Sequence, residues 1–266
     1  MLSFSRDEAG LRAAFRWDVP ERYNIGRAIC DAWASREPDR LALLDVDEAG
    51  AVDRVSFDDL RRRSNQLANL LVKSGIARGE RVAILLPQSR EVAESHIAIY
   101  KAGAIALPLA VLFGIDALVY RLHDAGVTGL ITNSAGLQKL KNTTEPLPDF
   151  KLLLSVDGDE DDAKDFHLSL ASQSENFTPV DTHADDPALM IYTSGTTGQP
   201  KGALHGHRVL PGHLPGFELV HEFFPHDGDL LWTPADWAWA GGLLNGLLPS
   251  LAHGVPVVAR KFEKFD

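Results

Sequence analysis

The stretch Tyr192-Thr193-Ser194-Gly195-Thr196-Thr197-Gly198-Gln199-Pro200-Lys201-Gly202 constrains this chain more than any other, because an apolar, strand-like run, Ala188-Leu189-Met190-Ile191-Tyr192, feeds straight into it. A strand that ends in glycines and hydroxyls has the layout of a phosphate-binding loop. Glycine reaches positive φ without a Cβ penalty and lets backbone N–H groups close on an anion. Thr193, Ser194, Thr196 and Thr197 add short hydroxyl donors. Lys201 adds a point charge on a flexible stem, which suits phosphate oxygens. An ordinary turn needs one or two such residues, not four hydroxyls and a lysine.

Two familiar phosphate loops do not fit. In the P-loop a glycine is followed, after four residues, by Gly-Lys-Ser/Thr. Counting from Gly195, those places hold Pro200, Lys201 and Gly202, so the second glycine and the Mg²⁺-binding hydroxyl are missing. The dinucleotide fingerprint needs Gly-x-Gly, and no two glycines of this chain stand two apart.

The rest of the chain reads as alternating strands and helices. Ile25 to Arg36 has helical spacing, with Ile25, Ile29 and Trp33 on one face. Arg40 to Val46 and Ala51 to Val55 read as strands around a turn, and Leu152 to Val156 as a further strand. Ser56, with Asp59 three residues on, reads as a capping box opening a helix to about Lys73 that Gly75 closes. Arg81 to Leu86 is a continuous apolar strand, followed by a helix over 90–102 and a strand near 105–109. A helix over 116–124 and a strand over 127–132 complete the alternation, which implies parallel βαβ units. Glu218 to Phe224 reads as the end of a helix and Leu230 to Thr233 as a short strand.

Charge and cysteine usage exclude some functions. With 26 basic and 37 acidic residues the net charge is −11, which argues against a general nucleic-acid or anionic-membrane binder. An anionic substrate must then meet a local positive site. Cys30 is the one cysteine, so no internal disulfide forms and a reducing compartment, the cytoplasm, fits. No apolar signal segment stands in the first 16 residues. Trp237 to Ala259 carries no charged residue over 23 positions, but its glycines, prolines, Asn245 and His253 read as a buried loop, helix and strand rather than a membrane span. The acidic run 157–162 reads as a solvated loop, and the histidines between 205 and 226 lack the spacing of a metal set.

Y-T-S-G-T-T-G-x-P-K resembles the signature loop of the AMP-forming, adenylate-forming superfamily, nearest to short- and medium-chain acyl-CoA synthetases. Further matches are Ser56-Phe57-Asp58-Asp59-Leu60, Tyr100-Lys101-Ala102-Gly103-Ala104 with Pro108-Leu109, and Ala235-Asp236-Trp237-Ala238-Trp239. The last resembles an Ala-Asp-x-Gly-Trp segment, with Ala238 in place of the usual glycine. The resemblance implies an α/β fold: the large domain of an adenylate-forming enzyme, stacked sheets with flanking helices, incomplete at its C-terminal end. Residues 1–24 are then an N-terminal extension, and 25–266 are the first part of the AMP-binding large domain.

The resemblance also implies a reaction. ATP and a carboxylic (fatty) acid give an acyl-adenylate and pyrophosphate, and a thiol, coenzyme A or a carrier protein, then displaces AMP. Thr193, Ser194, Gly195, Thr196, Thr197, Gly198 and Lys201 would bind the nucleotide, with Lys201 and Thr196 catalytic and Thr196 near Mg²⁺. Trp239, Ala240, Gly241 and Gly242 would border the acyl pocket. Nucleic acid and membrane are not expected partners. Because relatives are roughly twice as long, the expectation is that residues 1–266 alone are inactive. The competing reading is a non-catalytic nucleotide-binding remnant.

Overall fold

The computed structural model describes residues 2, 4, 5, 7–160, 162–193 and 198–260. In chain order, the first elements are α1 (Glu8–Ala14), a π-helical turn (Arg27–Asp31) running into α2 (Ala32–Ala34), β1 (Leu41–Val46), β2 (Val52–Ser56) and α3 (Phe57–Lys73). Next come β3 (Arg81–Ile84), α4 (Arg90–Lys101), β4 (Ile105–Pro108), α5 (Ile115–Asp124), β5 (Val127–Thr132) and α6 (Ser134–Lys141). Then follow β6 (Leu152–Ser155), β7 (Lys164–Asp165), α7 (Phe166–Ala171), β8 (Pro187–Thr193), β9 (Lys201–Gly206) and α8 (Val209–Val220). The chain continues through α9 (Ala240–Gly242), a second π-helical turn (Leu243–Leu247), α10 (Leu248–Ala252) and β10 (Val257–Arg260).

Two sheets result among the described residues. The larger has the order β7-β6-β5-β3-β4-β8-β9, and the smaller β10-β1-β2. The strands of the larger sheet from β7 to β8 run parallel, as βαβ units require, while β9 turns back antiparallel to β8. The sheet's central strands are buried on both faces, which is why they read as apolar runs without alternation. After β4 the chain crosses to the far side of β3 to form β5. The carboxyl ends of β3, β4 and β8 lie along one edge near that reversal, where parallel α/β sheets place their ligands.

Local rules explain the best-predicted element. Ser56 Oγ accepts from Asp59 N, and Asp59 returns its carboxylate to Ser56 N at 3.0 Å, so two helix-end donors are satisfied at once. Phe57, Leu60, Leu67 and Leu71 are fully buried, each contributing about 1.5–3 kcal/mol. Gly75 closes the helix at φ +81°, which only glycine adopts cheaply.

Elsewhere the structure differs from the reading of the sequence. Leu230 to Thr233 is not a strand: Leu231 makes a single bridge to Val257, bonded through Pro256 and Val258, and Leu230 and Trp232 stay exposed. The helix expected to close at Phe224 stops at Val220, and Glu222 and Phe223 take positive φ. Residues 27–31 widen into a π-helical turn inside the predicted first helix. Trp237 to Ala259 forms the expected loop, helical segment and strand, and no described helix is long and apolar enough to cross a membrane.

Two imidazoles are sealed into this core. His96 Nδ1 meets Tyr100 Oη at 3.0 Å, and His207 Nδ1 accepts from Ile25 N at 3.2 Å. In each ring Nε2 has no partner. Burial pulls His96 down to about 3 and His207 to about 4. The unfolded rings titrate near 6.5, so between those values the unfolded chain binds more protons and stability falls as pH falls. His96→Gln keeps a hydrogen-bonding group but cannot titrate. Urea melts at pH 7 and pH 5 should show that it removes about 2 kcal/mol of the acid sensitivity. An unchanged difference between the two pH values would show that His96 does not stay neutral.

Candidate active site at the strand ends

The glycine- and hydroxyl-rich stretch connects β8 to β9, which pair antiparallel. Thr193 at the end of β8 pairs with Lys201 at the start of β9, and both are exposed at the hairpin mouth. Gly198 sits at φ +93°, a conformation that a side chain would strain. Ser194, Gly195, Thr196 and Thr197 lie outside the described residues.

Helix α5 ties down both legs of the turn. Tyr192 Oη donates to Asp124 Oδ2 at 2.6 Å on the incoming leg, and Tyr120 Oη donates to the Pro200 carbonyl at 3.1 Å on the outgoing leg. Tyr120 and Asp124 are four apart and share one face of the helix. Burial, with the Asp124 carboxylate, pushes the Tyr192 phenol well above its ordinary range, so it remains a donor. Gly202 lets the returning strand pass closely: a Cβ there would lie 2.9 Å from Met190 Sδ. No helix follows the loop directly: the chain runs into β9 instead.

The second predicted group stands on the segment 233–243. Gln88, just beyond β3, donates from Nε2 to the carbonyls of Ala235 at 2.7 Å and Thr233 at 3.3 Å, which fixes that segment against the sheet edge. Asp236 Oδ1 accepts from Ala238 N at 2.9 Å, and burial raises the Asp236 carboxyl above its ordinary value. Ala238 is buried without a positive φ, so the position tolerates a side chain.

The two tryptophans part company. Trp237 is 1% exposed, whereas Trp239 is 43% exposed and packs edge-on against Phe113 with ring centroids 5.4 Å apart. Ala240 and Gly241 are exposed, and a Cβ on Gly241 would meet nothing within 4 Å. Gly242 is buried instead, and a Cβ there would lie 2.4 Å from the carbonyls of Ala235 and Asp236. Trp239, Ala240 and Gly241 thus offer an open face, and Gly242 lets the chain pack behind it.

Sequence reasoning missed Phe113, Tyr120, Arg121, Asp124 and Gln88, which join these two groups. Tyr120 and Asp124 at helical spacing were the one local signal, and an ordinary amphipathic helix carries the same spacing. The carboxyl ends of the parallel strands lie between the β8–β9 connection and the open face at Trp239, the kind of crevice in which α/β sheets place ligands. The chain belongs to the family of AMP-binding enzymes, which it matches over residues 30–266.

Among its relatives, the acetyl-coenzyme A synthetase of Halorhodospira halophila is 31% identical over 88% of this chain and 40% of its own length. That of Desulfatibacillum aliphaticivorans is 29% identical over 91% of this chain and 41% of its own. The chain therefore spans about two fifths of the length of these relatives. The crystal structure of Brucella canis acyl-CoA synthetase superimposes with a TM-score of 0.80 at 27% identity, covering 93% of this chain and 44% of that one. The anthranilate CoA ligase AuaEII, in complex with anthranoyl-AMP, shares the fold with a TM-score of 0.80 at 23% identity. The fold is thus that of the adenylate-forming enzymes, matched over part of their length.

Proposed function

We propose that this chain provides the phosphate-binding and acid-binding parts of an ATP-dependent, AMP-forming acid–CoA ligase. The observation that carries this is the placement of Thr193 and Lys201 at one hairpin mouth held by α5, with Trp239 packed on Phe113 just before that helix. In the first half-reaction a carboxylate oxygen forms a bond to the α-phosphorus of ATP. The bond from that phosphorus to the pyrophosphate oxygen breaks, and pyrophosphate leaves with the electron pair. In the second, a thiol sulfur, that of coenzyme A, attacks the acyl carbon. The carbon–oxygen bond to AMP breaks, and the thiol proton goes to solvent.

Backbone N–H groups between 194 and 198 would hold the β- and γ-phosphates, and Lys201 would offset the charge that develops on pyrophosphate. Thr193, Ser194, Thr196 and Thr197 supply hard oxygen donors of the kind Mg²⁺ accepts, with Thr196 the proposed contact. A bound Mg²⁺ would supply charge neutralisation at the phosphates. Residues 1–24 are assigned to an extension and 25–266 to the first part of the large domain. The buried, unpaired Cys30 fits a reducing, cytoplasmic setting.

The test is acid-dependent ATP–pyrophosphate exchange by the intact protein. Exchange supports the ligase, whereas ATP binding with no exchange for any acid favours a nucleotide-binding remnant. We further propose that residues 1–266 alone do not turn over, since they span about two fifths of the related ligases. Holding acid, nucleotide and metal in attack geometry contributes about 7–11 kcal/mol when fully achieved. Thioester formation by this chain alone would overturn that.

The open face at Ala240 and Gly241 favours an aliphatic acid longer than acetate. Each methylene it buries gains about 0.8 kcal/mol, roughly fourfold in kcat/KM. Profiling acids of increasing chain length should show this rise until the pocket is filled. A preference for acetate, the acid named by the relatives above, would remove Ala240 and Gly241 from the pocket.

A further inference from the structure

Arg121 is an unusual buried cation. It is 7% exposed, and among the described residues no carboxylate pairs with it. Its Nη1 donates to the Ala117 carbonyl of its own helix at 2.6 Å, and its Nε has no partner. Two aromatic rings flank the guanidinium. Its central carbon stands 4.2 Å from the Phe113 ring centroid and 5.3 Å from that of Tyr192. The two ring faces offset part of the cost of burying the guanidinium, so its position is tied to theirs.

The rings belong to the two halves of the site. Phe113 is the edge-on neighbour of Trp239, on the open face. Tyr192 is the last residue before Thr193, and its hydroxyl is held by Asp124 one turn beyond Arg121. The loop carrying Phe113 is itself fixed, since Lys139 Nζ donates to the Phe113 carbonyl at 3.0 Å. An unbroken series of contacts therefore runs Trp239, Phe113, Arg121, Tyr192. Movement of either ring would be felt by the guanidinium between them.

We propose that Arg121 is a positioning residue that couples the seat of Trp239 to the conformation of the β8–β9 hairpin, so that occupation of the acid-binding face is felt at the phosphate loop. The inference rests on the function proposed above for the naming of those two ends. The coupling itself is a property of the contacts and can be tested without a substrate.

The protein is labelled with 5-fluorotryptophan, and the Trp239 resonance is assigned through Trp239→Phe. Tyr192→Leu removes the ring at the hairpin end. It is expected to shift the Trp239 resonance when Arg121 is present and to leave it in place in an Arg121→Met background. Arg121→Lys keeps the charge and loses the planar stack, and should restore only part of the shift. It also serves as the second variant if Arg121→Met does not fold by circular dichroism. An unmoved Trp239 resonance in Tyr192→Leu overturns the proposal. So does a shift of equal size with and without Arg121, since the effect would then travel by another route.

A second measurement adds ATP with Mg²⁺, with binding followed by calorimetry. The nucleotide should move Trp239 in the wild type and bind Arg121→Met without moving it. Binding that leaves Trp239 unmoved in the wild type also overturns the proposal. If ATP does not bind at all, the assignment of the phosphate loop is what fails, and the Tyr192→Leu comparison still decides the role of Arg121.

Discussion

Replacing Lys201 with alanine is expected to slow acid-dependent ATP–pyrophosphate exchange by about 10²–10³-fold, or about 2.7–4 kcal/mol of transition-state stabilisation. The size follows from where the charge is needed. In the proposed function a bound triphosphate would already be met by backbone donors and Mg²⁺, but the oxygen leaving the α-phosphorus would gain charge only as its bond breaks. A preorganised ammonium acts on that increment, so the loss should appear in kcat more than in KM for ATP. Folding should be spared. Lys201 is exposed, its pairing with Thr193 is made by the backbone, and the hairpin is held from α5 by Tyr120 and Tyr192. Melting temperatures should agree within a degree or two while exchange collapses. Near-normal exchange in Lys201→Ala would remove this residue from the mechanism, and the loop would then be read as a binding element alone.

The elements that the sequence made legible are those governed by local rules. α3 announces itself through its capping box, its buried stripe and Gly75, and its observed limits follow those signals. β5 and β3 are legible because strands covered on both faces need unbroken apolar runs. β9 escaped notice for the opposite reason: Lys201-Gly202-Ala203-Leu204-His205-Gly206 lies at the sheet edge, half exposed, with no apolar run and no clean alternation. It is a strand because β8 offers it a ladder and because Gly202 fits against Met190 and Tyr192. α6 is capped by Asn133, whose side chain accepts from Gly136 N, a signal that was present but short.

The candidate site divides the same way. The hydroxyl and glycine run stood out from its residue types alone, since any role it has would come from their own chemistry. The groups that hold it could not. Asp124 matters because Tyr192 reaches it across 68 positions of chain, and Gln88 because it grips carbonyls 145 and 147 positions away. Such partners are set by topology, and a carboxylate or an amide on its own carries no mark of what it will meet. Gly242 is a related case: its neighbourhood in sequence suggested a pocket wall, while its packing against the Ala235 and Asp236 carbonyls is visible only in three dimensions.

Trp237 and Trp239 offer the sharpest separation of fold from function, because two residues of one type, two positions apart, have opposite surroundings. Trp237 is 1% exposed and belongs to the main core beside Leu243 and Leu247. Truncating it leaves a cavity as well as losing transfer energy, so Trp237→Ala should cost about 3–5 kcal/mol. Trp239 is 43% exposed and rests on Phe113 alone among the described aromatic side chains. An edge-on aromatic pair contributes about 0.5–1.5 kcal/mol, and exposed positions relax freely, so Trp239→Ala should cost about 1 kcal/mol. Urea denaturation of the two variants, compared at unchanged m-value, measures the difference. Activity should invert the order: Trp239→Ala, nearly as stable as wild type, is expected to change which acids are accepted, because it opens one side of the face shared with Ala240 and Gly241. Equal stability losses would contradict the burial that separates the two rings. An unaltered acid profile in a stable Trp239→Ala protein would instead leave that face outside the acid site, and would do so without disturbing the assignment of the phosphate loop.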